Sequence, residues 1–195
     1  LKPNYKEDTY QMLLNQKRER RKKHKQELEE FDQEINEVKE NIGNQAEELK
    51  EEVENFYQDA KELVDNYFKD LDDSHLVMRE EDIIPEMKEF VYDNKQKLNE
   101  KLKGINEHLD QLDDQFYDEI QGLVDNLQEQ LVDIAFKLEP EIKELILKKR
   151  NSFKEDLEKN KEKNKNYYKK IVEEFDNLGE EMEKVVIEKE ARWRV

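Results

Sequence analysis

Apolar side chains in this sequence recur three or four residues apart over long uninterrupted stretches, and that spacing is the strongest constraint on its fold. From Leu28 they run through Phe31, Ile35, Val38, Ile42, Ala46, Leu49, Val53, Phe56, Ala60, Leu63, Tyr67 and Leu71. A residue every 3.6 positions returns to the same face of an α-helix, so this is the pattern of one long amphipathic helix. Only 4 Gly and 3 Pro interrupt the chain, too few turn residues for a sheet of several strands. Leu, Ile, Val and Phe make up 50 of 195 residues, above the roughly 20% below which a highly charged chain stays unfolded. Long charged helices with narrow apolar seams are what these limits leave.

The punctuation predicts three helices, over about 9–71, 83–138 and 141–194. Asp8-Thr9 reads as the cap of the first. Two consecutive four-residue steps, Val38 to Ile42 to Ala46, read as a stutter beside Gly43-Asn44 with a local unwinding or bend. Asp72-Asp73-Ser74-His75 breaks the pattern, and Pro85 reads as part of the first turn of the second helix. The seam then runs through Met87, Val91, Asn94, Leu98, Leu102, Ile105, Leu109, Leu112, Phe116, Ile120, Leu123, Leu127, Leu131, Ile134 and Leu138. Its mean step is 3.64 residues, nearer a straight helix than the 3.5 of a two-stranded coiled coil.

Pro140 removes a helical donor and opens a third stripe through Ile142, Leu145, Ile146, Lys149, Phe153 and Leu157. The polar tract Lys159-Asn160-Lys161-Glu162-Lys163-Asn164-Lys165 reads as a frayed or exposed interval or as a short gap that does not end the helix. Beyond it lie Tyr168, Ile171, Phe175, Leu178, Met182, Val185 and Lys189. Segments of matched length predict an all-α fold, an elongated antiparallel bundle of about three long helices, spectrin-like or coiled-coil-like. One domain spans 1–195, and a chain that begins with Leu reads as a piece of a longer protein. No internal repeat of spectrin length stands out.

The formal net charge is −17. It is distributed unevenly, +6 over residues 1–25, −24 over 26–140, +5 over 141–170 and −4 over 171–195. Up-down-up folding would bring both basic segments beside Asp118, Glu119, Asp125, Glu129 and Asp133 at the close of the second helix. Phosphate binding needs clustered cations, so the acidic bulk argues against nucleic acid or anionic membrane as a partner of the whole chain. No apolar run reaches the roughly 18 residues of a membrane span. The absence of Cys excludes disulfides and thiolate metal sites and fits an intracellular location, cytoplasmic or cytoskeletal.

The candidate partner-binding site is a basic patch of Lys17, Arg18, Arg20, Arg21, Lys22, Lys23 and Lys25, which surrounds Glu19 and His24. Such runs serve as nuclear signals, nucleic-acid patches or contacts to acidic proteins, and more often they are solvated helix faces. With the rest of the chain acidic, an acidic protein surface such as a glutamate-rich tubulin tail is the better fit. Asp70, Asp72, Ser74 and Glu81 take calcium-loop positions 1, 3, 5 and 12, but His75 stands where the loop needs glycine, so an ordinary acidic connection is the reading. His24, His75 and His108 are scattered, without the spacing of a di-iron bundle or a zinc protease.

Paired carboxylates such as Glu51 with Glu52, and Asp113 with Asp114, read as solvated faces. Tyr57, Tyr67, Tyr117, Tyr167, Tyr168 and Trp193 read as seam residues in preference to a ligand-stacking set. No phosphate loop, nucleophile elbow, metal site or cofactor site is present in the pattern, and the expectation is a non-enzymatic protein.

Leu13-Leu14-Asn15-Gln16-Lys17-Arg18-Glu19-Arg20-Arg21, and Ala135-Phe136-Lys137-Leu138-Glu139-Pro140-Glu141-Ile142-Lys143-Glu144-Leu145-Ile146 with Asn151, resemble the first large conserved region of the coiled-coil domain-containing protein 180 family. The lysine-asparagine tract after Leu157 departs from it. The resemblance implies a segment of a large helical protein of cilia and flagella, with no catalytic or ligand-binding residues. The function expected is a scaffolding segment that contacts other helical or cytoskeletal proteins, tubulin among them, with a homodimer as a further option. Two alternatives have the same helical content: a dimeric membrane-binding module of the BAR type, and an amphipathic lipid-surface protein.

Overall fold

A computed structural model describes residues 5–74, 79–134 and 140–193, which form three helices: α1 (Tyr5–Ser74), α2 (Glu80–Ile134) and α3 (Pro140–Trp193). There is no strand among the described residues. Their contacts divide into two compact units. The first holds residues 1–43 and 114–158, and the second holds 44–113 and 159–195.

Each unit is a three-helix bundle in which α1 and α3 run parallel. In the first unit Asp32 pairs with Lys149, and Lys39 with Asp156 at 2.7 Å. In the second, the Lys50 ammonium sits 5.1 Å from the centroid of the Tyr167 ring, and Asp72 pairs with Lys189. In the second unit α2 is antiparallel to both neighbours. Lys101 meets Glu52 while Phe90 meets Tyr67, and Lys95 meets Glu183 while Lys88 meets Glu190.

The core of each unit follows the sequence seam. Phe31, Ile35 and Ile42 pack with Phe116, Ile120, Val124, Leu127, Ile146 and Phe153 in the first unit. In the second, Leu49, Val53, Val64 and Phe68 join Met87, Val91, Leu98, Ile105, Phe175 and Met182. Along every helix the buried positions recur at eleven residues. On α2 one row is Ile83, Asn94, Ile105, Phe116 and Leu127, and a second is Met87, Leu98, Leu109 and Ile120. On α1 a row is Phe31, Ile42, Val53 and Val64, and on α3 it is Phe153, Asn164, Phe175 and Val186. Eleven residues in three turns is about 3.67 per turn, close to the 3.6 of an unstrained helix, so the buried stripe keeps its face without underwinding.

Several expectations are corrected. The first helix starts before Thr9, whose hydroxyl donates back to the Tyr5 carbonyl at 2.6 Å from inside the helix instead of capping its end. Helix α1 runs unbroken through Gly43-Asn44, with no positive φ among the described residues. Pro85 lies inside α2, beyond its first turn. The tract 159–165 continues α3, within the expected bounds of the third helix, but Asn164 within it is buried and not exposed. Leu63 is 50% exposed and Val64 takes its place at 6%, while Leu145 yields to Ile146. The cause is the same at both sites: two apolar residues stand side by side, and a step of three or of four serves the local period equally well. Leu131, Ile134, Leu138, Ile142 and Trp193 lie outside the residues whose side chains are described, as do Ser74 and His75 of the calcium-loop spacing. The Glu139-Pro140 junction is likewise outside them up to residue 139.

Candidate functional site

Helix α1 opens with Glu7 and Asp8 in its first turn, where carboxylates complement the helix dipole. The seven cations of the patch follow within three turns. Lys17 with Arg21, and Arg18 with Lys22, stand four apart, a spacing that sets like charges side by side and weakens a helix by a few tenths of a kcal/mol per pair. Lys17, Arg18, Arg20, Arg21, Lys22, Lys23 and Lys25 are all exposed, and none makes an ion pair among the described residues. Of the acidic residues at the close of α2, Asp118, Glu119, Asp125 and Glu129 make no ion pair with them, and the side chain of Asp133 lies outside the described residues.

Elsewhere many lysines, among them Lys61, Lys97, Lys163 and Lys184, are also exposed without an ion pair among the described residues, but six are used in packing. Lys39, Lys88, Lys95, Lys101, Lys149 and Lys189 each bridge two helices. Lys149 and Lys101 also lie over the rings of Phe31 and Phe56, at 5.9 and 5.2 Å from the centroids. In the first unit the pairs Asp32 with Lys149 and Lys39 with Asp156 set Pro140, where α3 begins, level with Lys23. Helix α1 before Lys23 thus has no α3 beside it. Accordingly Tyr5, Tyr10, Met12 and Leu13 are more than half exposed. The first part of the patch, Lys17 to Lys22, therefore lies ahead of the start of α3, on a stretch of α1 that is both cationic and apolar, while Lys23 to Lys25 flank the buried His24.

A different polar feature escaped the sequence reading. In the second unit Asp113 accepts hydrogen bonds from the side-chain amides of Asn164 at 2.8 Å and Asn160 at 3.0 Å. Burial pushes the Asp113 carboxyl above its ordinary range, and the two amide bonds oppose that rise without cancelling it. The tract that read as frayed is where this polar layer crosses the core. Asp113 occupies an eleven-residue row with Val91, Leu102 and Val124. The recurrence of that row was the available signal, and the adjacent Asp114, which is exposed, concealed it.

Of the candidate aromatic set, Tyr57, Tyr67, Tyr167 and Tyr168 pack against the second core, whereas Tyr117 is exposed. Tyr67 stacks on Phe90 with centroids 3.6 Å apart, and burial raises its hydroxyl to about 12. His24 is buried despite its basic neighbours, with Nε2 unpaired, and so is Oε2 of Glu27. No group of three or more metal-ligating side chains converges among the described residues.

A family profile for a domain of unknown function, DUF4455, matches residues 17–195, nearly the whole chain. The chain belongs to the DUF4455 family. Neither a curated protein nor a solved structure matches it. In this DUF4455 chain the matched span opens at Lys17, the first cation of the patch, and takes in both cores and the Asp113 layer. No helix of the described residues is long and apolar enough to cross a membrane.

Proposed function

We propose that this DUF4455 chain is a non-enzymatic scaffolding segment that makes protein–protein contacts through the basic start of α1. The observation that supports this reading is the uncommitted charge there. Seven exposed cations crowd into residues 17–25 with one acidic residue, Glu19, among them, and none has an ion-pair partner among the described residues. Like charges crowded on one helix cost stability, and an acidic surface in trans offsets that cost. The exposed Tyr10, Met12 and Leu13 add the apolar anchors that a specific contact uses. A cytoskeletal or ciliary assembly, as the resemblance to the coiled-coil domain-containing protein 180 family implies, supplies such surfaces, with acidic tubulin tails as one class.

Co-sedimentation with microtubules tests this for tubulin. Replacing Arg20, Arg21, Lys22 and Lys23 with Glu is expected to abolish binding while the helical circular dichroism signal is kept. Unchanged co-sedimentation of the helical variant would discard the patch as the contact.

A further inference from the structure

In the second unit, the face that α2 and α3 present away from α1 carries two large apolar side chains left uncovered among the described residues. Tyr92 is 62% exposed and Ile187 is 66% exposed. They flank an open groove of about 490 Å³ that also takes in Val91 and Val186, and no residue of α1 lines it. The ion pairs Lys88 with Glu190 and Lys95 with Glu183 cross this groove on either side of them and fix the antiparallel register of the two helices. On that register Tyr92 stands level with Ile187, Lys103 with Asp176, and Asp110 with Lys169, each to within one residue. At about 100° per residue, Lys88, Tyr92, Lys95, Lys103 and Asp110 fall within about 80° of one another on α2, and Lys169, Asp176, Glu183, Ile187 and Glu190 within about 60° on α3. The chain's own core takes other positions, Met87 and Leu98 on α2 and Phe175 and Met182 on α3.

We infer that this face pairs with the same face of a second copy, about a two-fold axis parallel to the helices. Charge complementarity identifies the occupant. From one end of the face α2 presents Lys88, Lys95, Lys103 and then Asp110, while α3 presents Glu190, Glu183, Asp176 and then Lys169, the opposite sign at each level. An axis parallel to the helices lays α2 of one copy on α3 of the other at the same level, so every cation of the two rows meets a carboxylate. Tyr92 then meets Ile187 of the second copy, and the two such contacts form one apolar layer between the Lys88 and Lys95 levels. An axis across the helices, centred on the same layer, would set Lys88 near Lys95 of the second copy and Glu190 near Glu183, like charge on like, which selects the parallel axis. Exposed ion pairs contribute little by themselves, so burial of Tyr92 and Ile187 supplies the affinity and the charges supply the direction. The same patch serves both copies, so the assembly closes at two chains. This surface lies in the second unit and is independent of the basic run at the start of α1.

Light scattering on a sizing column tests this on the full chain. The wild type is expected to have the mass of two chains and to fall to half that mass on dilution. Tyr92→Glu with Ile187→Glu is expected to have the mass of one chain at every concentration while keeping the helical circular dichroism signal. If that variant loses helicity, Tyr92→Ser with Ile187→Ser takes its place in the same design. Because the chain has no native Cys, a short thiol crosslinker reads the axis. A mixture of Tyr92→Cys chains with Ile187→Cys chains is expected to give covalent dimers of one of each, in preference to dimers of either variant with itself. A wild type of one chain at every concentration overturns the second-copy contact, and a mass of two chains that the helical variant keeps overturns this face as its site. A mass that grows beyond two chains overturns the closed pairing. Crosslinking of Tyr92→Cys chains mainly to one another overturns the parallel axis.

Discussion

Lys39 and Asp156 stand 117 residues apart in sequence and meet at 2.7 Å. The same separation relates Asp32 to Lys149 and Asp72 to Lys189, and it also relates Lys50 to Tyr167. A constant offset is what a parallel pair of helices with equal rise must show, so these contacts fix the register of α3 on α1 within each unit. Exposed ion pairs contribute at most about 1 kcal/mol, so their value here is selection of one register over others.

That register is open to a chemical check, since the chain has no native Cys. A short thiol crosslinker should join Lys39→Cys to Asp156→Cys efficiently within one chain. Lys39→Cys with Ser152→Cys, displaced by about one turn, should crosslink markedly less. Equal yields would show that α3 slides along α1.

The shifted seam predicts a contrast between neighbours on α1. Phe68 is 7% exposed and meets both Tyr67 and Phe90 edge-on, whereas Leu63 is 50% exposed. Phe68→Ala should cost about 3–5 kcal/mol in denaturant unfolding, the usual range for a buried aromatic truncation. Leu63→Ala should cost about 0.5 kcal/mol, as surface changes do. Similar losses would restore Leu63 to the core.

Asp113 should make stability depend on pH. Its carboxyl is raised in the fold by burial, so the folded state holds its proton more tightly than the unfolded chain does. The stability this gives is complete below the ordinary carboxylate pKa, about 3.9, and is lost as pH rises through the raised value. Asp113→Asn removes that loss and leaves an amide that can still bond Asn160 and Asn164. The gain in Tm over the wild type should be larger at pH 7 than at pH 3. A variant destabilised most at pH 7 would mean that the ionised carboxylate holds the layer together.

Tyr67 and Tyr167 titrate at the other end of the scale. Burial is the main cause in each, and both hydroxyls are pushed up to about 12. A group raised in the folded state supports the fold below its unfolded pKa, here about 10, and withdraws that support as pH climbs towards 12. Ultraviolet titration should show these two phenols ionising after the exposed ones, and Tyr67→Phe with Tyr167→Phe should flatten the loss of Tm above pH 10. An unchanged alkaline profile would place the titration elsewhere.

Helix number, order and most of the core were legible because one period governs them. Met87, Leu98, Ile105, Leu109 and Phe175 are buried where the spacing requires. What the spacing could not resolve was a choice between adjacent apolar residues, as at Leu63 with Val64 and Leu145 with Ile146, since both fit a step of three or four. Polar residues inside the core were read as gaps for the same reason. Asn164 and Asp113 are hydrophilic by type, and only the rows eleven residues long mark them as inward-facing. The basic run was conspicuous, but that Lys17 to Lys22 lie ahead of the third helix follows from where α3 begins, and that depends on long-range register.

The most direct measurement is hydrogen exchange along α1, read with and without microtubules. With Tyr5, Tyr10, Met12 and Leu13 more than half exposed, the amides of residues 5–22 should exchange far faster than those of 31–53, which the cores cover. On binding, the early segment should gain protection while 42–53 stays as it was. Protection of residues 5–22 in the chain alone would mean that its own bundle covers them. Protection that never appears with microtubules in excess would contradict docking on tubulin by this segment.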